Sequence, residues 1–210
     1  MADGARTAPP DDLVQPFQIE TMAAQGRLIR LGAAVCAVLD AHDYPDPVAE
    51  LLAEALVIAA APAGALQFDG VLTLQAKGAG PVNILVVDIT SDGAMRGYAQ
   101  FDRAAVADTE TDGPRQQVPR LLGAGHLALT VDQEDITQRY QGIVALEGAT
   151  LADCAHDYLR QSVQLDAVLK VAAARCAETG RWRAGGLMLQ RLADKGAQHQ
   201  SGDHDDAEEV

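Results

Sequence analysis

The chain has few cysteines and no long apolar run, and each shortage excludes a class of protein. Its 210 residues contain only Cys36, Cys154 and Cys176, an odd number with no CxxC pair. This predicts neither a disulfide framework nor a zinc site built from these cysteines. The longest apolar run, "ALVIAAAPAGAL", is interrupted by Pro62 and Gly64 and falls short of the ~20 residues that a membrane span needs. The N-terminus shows no secretion signal, so a cytoplasmic protein is expected.

Positive charge is also scarce. The chain has 16 Lys and Arg against 30 Asp and Glu, which gives a net charge of −14. The acidic end "DHDDAEE" supplies only part of this excess, so the body of the protein is acidic as well. Such a field repels phosphate backbones and anionic lipids, and the sequence therefore predicts no binding to nucleic acid or to a membrane surface.

The order of the local patterns predicts an α+β fold, a single compact core domain of mostly antiparallel sheet packed with several helices. Two short strand patterns, "LVQPFQIE" and "GRLIRLG", precede the helical segment "AAVCAVLDAH". A second helix is predicted with Asp46 as N-cap and Pro47 at its first position. Its buried stripe follows the i, i+3, i+4 spacing, and Glu50 and Glu54 fall outside that stripe. The stripe consists of Val48, Leu51, Leu52, Ala55, Leu56 and Ala59.

The middle of the chain is rich in strand patterns. The segments "GVLTLQAKG", "VNILVVDIT" and "MRGYAQFD" are separated by the turn sequences "GAGP" and "SDG", which favours an antiparallel meander. "HLALTVD" and "YQGIVALEG" continue the pattern, and "GGLMLQRL" predicts a last strand. The segment "DAVLKVAAARC" fits either a helix or a strand. We predict a mobile N-terminus over 1–12, a core domain over 13–196, and a polar, acidic tail over 197–210.

One segment raises the question of catalysis, because Cys154, His156 and Asp157 lie within four positions of one another. Thr150 and Asp153 form a pattern like a capping box, so a helix is predicted to begin near Leu151. On a helix, residues i and i+2 do not face each other, and His156 is poorly placed to deprotonate Cys154. The spacing places Cys154 on the apolar side and predicts a buried, unreactive thiol.

No other motif predicts an active site, a cofactor site or a metal site. "GAGP" lacks the Lys-Ser/Thr that follows a phosphate-binding loop, and the five histidines have no HExxH spacing. Trp182 is interpreted as a packing residue. The sequence therefore predicts no catalytic, cofactor-binding or metal-ligating residue.

Five stretches in register resemble the 33 kDa chaperonin family, the redox-regulated heat-shock holdases. They are "HDYPDPV", "LQFDGVLTLQAKGAGPVN", "MRGYAQ", "RYQGIVALEGATLADCAHDYLRQSVQL" and "AGGLMLQ", and the resemblance runs from about Leu13 to Leu192. It implies a compact α+β core in which "AVLKVAAARC" is a strand. It also implies an ATP-independent chaperone that binds unfolding proteins under oxidative stress.

In that family, four C-terminal cysteines in a CxC…CxxC arrangement bind zinc, and their oxidation controls activity. The three cysteines of this chain do not match that pattern, so we expect no zinc domain and no cofactor here. The favoured hypothesis is a holdase core that lacks the redox switch and acts constitutively. The alternatives are a cysteine-dependent enzyme using Cys154 and a passive dimerisation or scaffold domain.

Unfolded or oxidatively damaged proteins are the expected partners, and open strand edges allow a homodimer. The client-binding surface is not identified by the sequence. Candidates are apolar residues of the long helix and of the β-rich stretch, although ordinary core is the stronger interpretation of each. They are Leu51, Leu52, Leu56, Val71, Leu72, Leu74, Ile84, Leu85 and Val86.

Overall fold

Two antiparallel sheets enclose one long helix. The structure is a computed structural model and describes residues 10–63, 69–109, 116–133 and 140–192. The α+β prediction is confirmed, whereas the predicted tail over 197–210 and most of the predicted mobile N-terminus lie outside the described residues. Asp12, which belongs to that N-terminal segment, caps helix α1 (Ala33–Leu39) by accepting a 2.7 Å hydrogen bond from the Gly32 amide.

The first sheet has four strands in the order β1-β2-β9-β8. These strands are β1 (Leu13–Ile19), β2 (Ala24–Leu31), β8 (Ala167–Arg175) and β9 (Trp182–Arg191). The segment that periodicity left open between helix and strand is β8, as the family resemblance implied. It pairs along its whole length with β9, from Ala167 opposite Gln190 to Arg175 opposite Trp182.

The second sheet has five strands in the order β5-β4-β3-β6-β7. The strands are β3 (Gly70–Gly78), β4 (Val82–Thr90), β5 (Met95–Phe101), β6 (Gly125–Gln133) and β7 (Tyr140–Ala145). The predicted meander is confirmed for β3, β4 and β5, and "GAGP" forms the turn between β3 and β4. Helix α3 (Arg103–Ala107) and a π-helical turn (Val118–Leu122) link β5 to β6.

Helix α2 (Asp46–Ala63) lies between the sheets and packs against three strands of each. It is therefore buried on most sides, and its side chains form the centre of the core. The prediction that Asp46 is the N-cap is wrong by one residue: the Pro45 carbonyl accepts the first helical bonds, from Val48 and Ala49. The Asp46 carboxylate instead pairs with Arg175 at 2.8 Å, because β8 brings that arginine beside the helix start. No helix among the described residues is long and apolar enough to cross a membrane.

Helix α4 (Leu151–Gln161) closes one side of the core against β6, β7 and β8. Its predicted start is confirmed, because Thr150 and Asp153 form a reciprocal capping box. Trp182 is buried, as predicted for a packing residue, and the Arg175 guanidinium lies over its ring at 4.9 Å from the centroid.

Candidate functional site: the outer face of the four-stranded sheet

The four-stranded sheet is apolar on both faces. Its inner face packs against α2 through buried residues such as Ile29, Leu169 and Met188. Its opposite side carries a second set of apolar side chains, which we name the outer face. The outer face consists of Phe17, Leu28, Val168, Leu187 and Leu189.

Strand register places these outer-face residues side by side. Leu28 lies opposite Leu187 across β2 and β9, and Leu189 lies opposite Val168 across β9 and β8. Leu28 is 48% exposed, Leu187 38% and Val168 49%. Three adjacent strands therefore present a continuous apolar surface to solvent.

Phe17 extends this surface across β1. It lies opposite Gly26, and a Cβ atom added at Gly26 would come within 2.3 Å of the Phe17 ring. The absence of a side chain at Gly26 thus lets the ring pack directly against the β2 backbone. Gln15 and Lys170, opposite Leu28 and Leu187 respectively, give the surface a polar margin. An apolar centre with a polar margin is typical of protein-binding surfaces.

The solvent-facing side of the five-stranded sheet carries more polar groups than the outer face does. Thr73 and Asp88 are cross-strand partners there, and Arg96 forms a 2.6 Å ion pair with Asp88. Thr130 accepts a 3.0 Å hydrogen bond from Gln141 on the same side. These polar groups are satisfied by one another, and they lie among apolar side chains that the same side also presents, Tyr98 and Ile143 being the most exposed.

The structure divides the client-binding candidates that were predicted from the sequence into two groups. Six of them are fully or almost fully buried and form ordinary core: Leu51, Leu52, Leu56, Leu72, Leu74 and Leu85. Val71, Ile84 and Val86 are half-buried on the polar outer side of the five-stranded sheet. Sequence reasoning missed the outer face, although a signal was present. "GRLIRL" and "GGLMLQ" place apolar residues on both sides of a strand, whereas a strand with one solvated face alternates.

Cys154 has the environment of a core residue. It is buried on the inner side of α4, and burial raises the pKa of its thiol, with the charges of Asp153 and Asp157 adding to the rise. The thiolate is the reactive form, so this environment disfavours nucleophilic chemistry. The predicted burial of the thiol is confirmed, and its raised pKa argues against the alternative of a cysteine-dependent enzyme using Cys154.

The described residues do not fit the zinc site implied by the family resemblance. Cys36 and Cys154 are buried and Cys176 is half-buried. Within residues 10–63, 69–109, 116–133 and 140–192, no three His, Cys, Asp or Glu side chains lie close enough to hold a metal ion together.

Comparison with known proteins agrees with this architecture. A family model described as Hsp33 protein matches residues 12–209. The chain belongs to the Hsp33 family. It is 44% identical over 196 residues to the 33 kDa chaperonin of Caulobacter vibrioides, and the match covers 92% of this chain and 65% of that protein. It is 35% identical over 198 residues to the 33 kDa chaperonin of Escherichia coli, covering 93% of this chain and 64% of that protein.

A solved structure shows the same fold. The crystal structure of the 33 kDa chaperonin from Thermotoga maritima, a heat shock protein 33 homologue, superimposes with a TM-score of 0.70 at 20% identity. The match covers 87% of this Hsp33-family chain and 61% of that one. The chain thus spans a little under two thirds of the length of these relatives. The activities of the whole relatives are therefore only proposed for this chain.

Proposed function

We propose that this chain is the core of an ATP-independent holdase whose outer face binds apolar segments of unfolding proteins. The exposure of Leu28, Leu187 and Val168 on three adjacent strands carries the proposal. Removing apolar surface from water is the main driving force for such contacts, and it requires no particular client sequence. A contiguous exposed apolar patch is also a recognised mark of a protein-binding site.

The charge of the chain supports the same role. A net charge of −14 keeps a complex with an aggregation-prone client dispersed through mutual repulsion. Binding through the outer face needs no reacting group, which agrees with the buried state of Cys154.

Activity of this 210-residue chain is expected to be independent of redox state. Its three cysteines do not form a metal cluster with other described residues. None of them lies on the outer face. We therefore expect equal suppression of aggregation under reducing conditions and after peroxide treatment.

The test is light scattering from a chemically unfolded, unrelated protein that is diluted into the chain without ATP. Leu28→Asp and Leu187→Asp each place a charge in the centre of the outer face. Ile143→Asp is the matched control, because Ile143 is also an apolar strand residue and is 57% exposed, but lies in β7 of the other sheet. Circular dichroism confirms that each variant is folded.

We expect the unsubstituted chain and Ile143→Asp to suppress scattering, and the two outer-face variants to need several-fold more protein for the same effect. Equal suppression by all four would place client binding elsewhere. A chain that suppresses nothing would favour the passive dimerisation or scaffold alternative. The homodimer also stays a prediction, and light scattering of the chain alone over a range of concentrations would measure its mass.

A further inference from the structure

A second feature of the four-stranded sheet is the free edge of strand β8. This strand has nine residues and stands last in the order β1-β2-β9-β8, where β9 is its one partner among the described strands. The unpaired backbone groups along such an edge can bond to another extended chain. Val168, which belongs to the outer face, lies on β8 and is 49% exposed. The edge therefore continues the surface that is proposed to bind clients.

Hydrogen bonds at the two ends of β8 determine which of its backbone groups point outward. The Asp166 carbonyl accepts a 3.0 Å hydrogen bond from the Arg191 amide, and the Cys176 amide donates to the Arg181 carbonyl at 2.8 Å. In an antiparallel pair, residues that bond to the partner strand alternate with residues that do not. The even-numbered residues of β8 therefore bond to β9, and the odd-numbered residues direct their amides and carbonyls away from it.

Small side chains leave the C-terminal half of this edge accessible. Residues 172–174 are alanines that are exposed or half-buried. The outward amides and carbonyls here belong to Val171, Ala173 and Arg175, and they form no hydrogen bond with any residue that the structure describes. The side chain of Lys170, in the middle of β8, projects to the outer face and does not cover the backbone edge. A row of donors and acceptors is thus open to a partner.

The opposite edge of the same sheet is interrupted. The Leu192 amide donates to the Ala23 carbonyl at 2.7 Å, which extends the same alternation to β2. The residues of β1 that point away from the sheet are then Val14, Pro16 and Gln18. Pro16 has no amide hydrogen, and proline on an edge strand is a common protection against pairing with other chains. The β8 strand contains no proline, so it is the edge of this sheet that can accept another strand.

We propose that β8 accepts an extended segment of an unfolding client as an additional strand of the four-stranded sheet. Such binding rests on the holdase role proposed above and specifies the conformation of the bound client. Main-chain hydrogen bonds recognise an extended chain whatever its sequence, and side chains on alternate residues add apolar contact. The strand pairs of both sheets are antiparallel, so an antiparallel added strand is expected. It lies about 4.8 Å from β8, with every second side chain on the same side as Val168.

The probe is a peptide with blocked ends in which valine and threonine alternate, and it has the nine-residue length of β8. Two further versions carry N-methyl groups, one on every threonine amide and one on every valine amide. Antiparallel pairing with the valines on the outer face directs the threonine amides toward β8, so only methyl groups on threonine block the hydrogen bonds. Fluorescence anisotropy measures peptide binding to the full chain, and NMR measures hydrogen exchange of its backbone amides.

We expect the unmodified peptide to slow amide exchange at Val171, Ala173 and Arg175, whereas Ala172 and Ala174 are protected by β9 with or without it. Methylation of the threonine amides should weaken binding by about tenfold or more, through the loss of several hydrogen bonds, and methylation of the valine amides should change it little. Edge amides that stay in fast exchange with the peptide bound, or equal effects of the two methylations, would overturn the proposal. Protection that rises with the concentration of the chain alone would do so too, because the edge would then pair with a second copy.

A pair of protein variants tests the same edge. Ala173→Pro removes an outward donor of β8, and Gln18→Pro is the matched control at an exposed outward position of β1. Only Ala173→Pro should weaken peptide binding, and equal binding by the two folded variants would contradict strand addition. The methylated peptides need no change in the protein and decide the question if Ala173→Pro does not fold. If Leu28→Asp lowers aggregation suppression but the edge amides stay in fast exchange, the outer face binds clients without an added strand.

Discussion

Glu54 is a buried carboxyl group in the middle of the central helix, and it makes folding stability depend on pH. Its side chain is 6% exposed, and Oε2 forms no hydrogen bond with any described residue. Burial raises the pKa of Glu54 to about 7. The charge of Glu50, one turn earlier, adds to this rise, and the Gln117 side chain opposes it.

The size of this pH effect follows from the difference between the pKa of Glu54 in the folded state and its pKa in the unfolded state. The ordinary pKa of the group is 4.5, so between pH 4.5 and about 7 the folded chain holds a proton that the unfolded chain has released. Stability is therefore lost as the pH rises through this window, by roughly 3 kcal/mol in total. About 2 kcal/mol of this loss falls between about pH 5.5 and 8, a range that stays above the sequence pI of about 4.5.

Urea unfolding across that pH range measures the effect. Glu54→Gln replaces the carboxyl group with a neutral group of the same shape, so its advantage over the unsubstituted chain should grow by about 2 kcal/mol from pH 5.5 to 8. Glu147→Gln, at an exposed position, is the matched control and should leave the profile unchanged. Parallel profiles for Glu54→Gln and the unsubstituted chain would refute the reasoning, because they would show that Glu54 titrates alike in both states.

Two further predictions concern the thiols and one glycine. In the folded chain a maleimide should label Cys176 first, because Cys176 is half-buried and hydrogen bonds from Thr179 lower the pKa of its thiol, whereas Cys36 and Cys154 are buried. Mass spectrometry of timed samples checks this order, and rapid labelling of Cys154 would revive the enzyme hypothesis. Gly186→Ala should destabilise the fold by about 1 to 3 kcal/mol, since its Cβ would lie 2.6 Å from the Val57 side chain and 2.9 Å from the Lys170 carbonyl. Thermal unfolding measures the loss, and an unchanged midpoint would mean that β9 and α2 can separate without cost.

Local patterns were enough to predict most of the secondary structure. The capping box at Thr150 and Asp153, the turn "GAGP" and the apolar stripe of α2 each depend on residues close in sequence, and each is found where it was predicted. The burial of Cys154 followed from helical periodicity for the same reason. The strand assignment of β8 needed the family resemblance, because the apolar residues of "AVLKVAAARC" fit both the helical and the strand periodicity.

Tertiary packing decided which apolar and polar groups are exposed. Glu54 lies outside the predicted stripe of α2, yet it is buried because Gln117, distant in sequence, lies beside it and sheets cover both sides of the helix. Leu28 and Leu187 form one surface only because β2 pairs with β9, which lies more than a hundred residues later in the chain. Local sequence determined most of the helices and strands, β8 excepted, since these elements depend mainly on neighbouring residues. The outer face arises from long-range strand pairing, and only the three-dimensional fold could decide it.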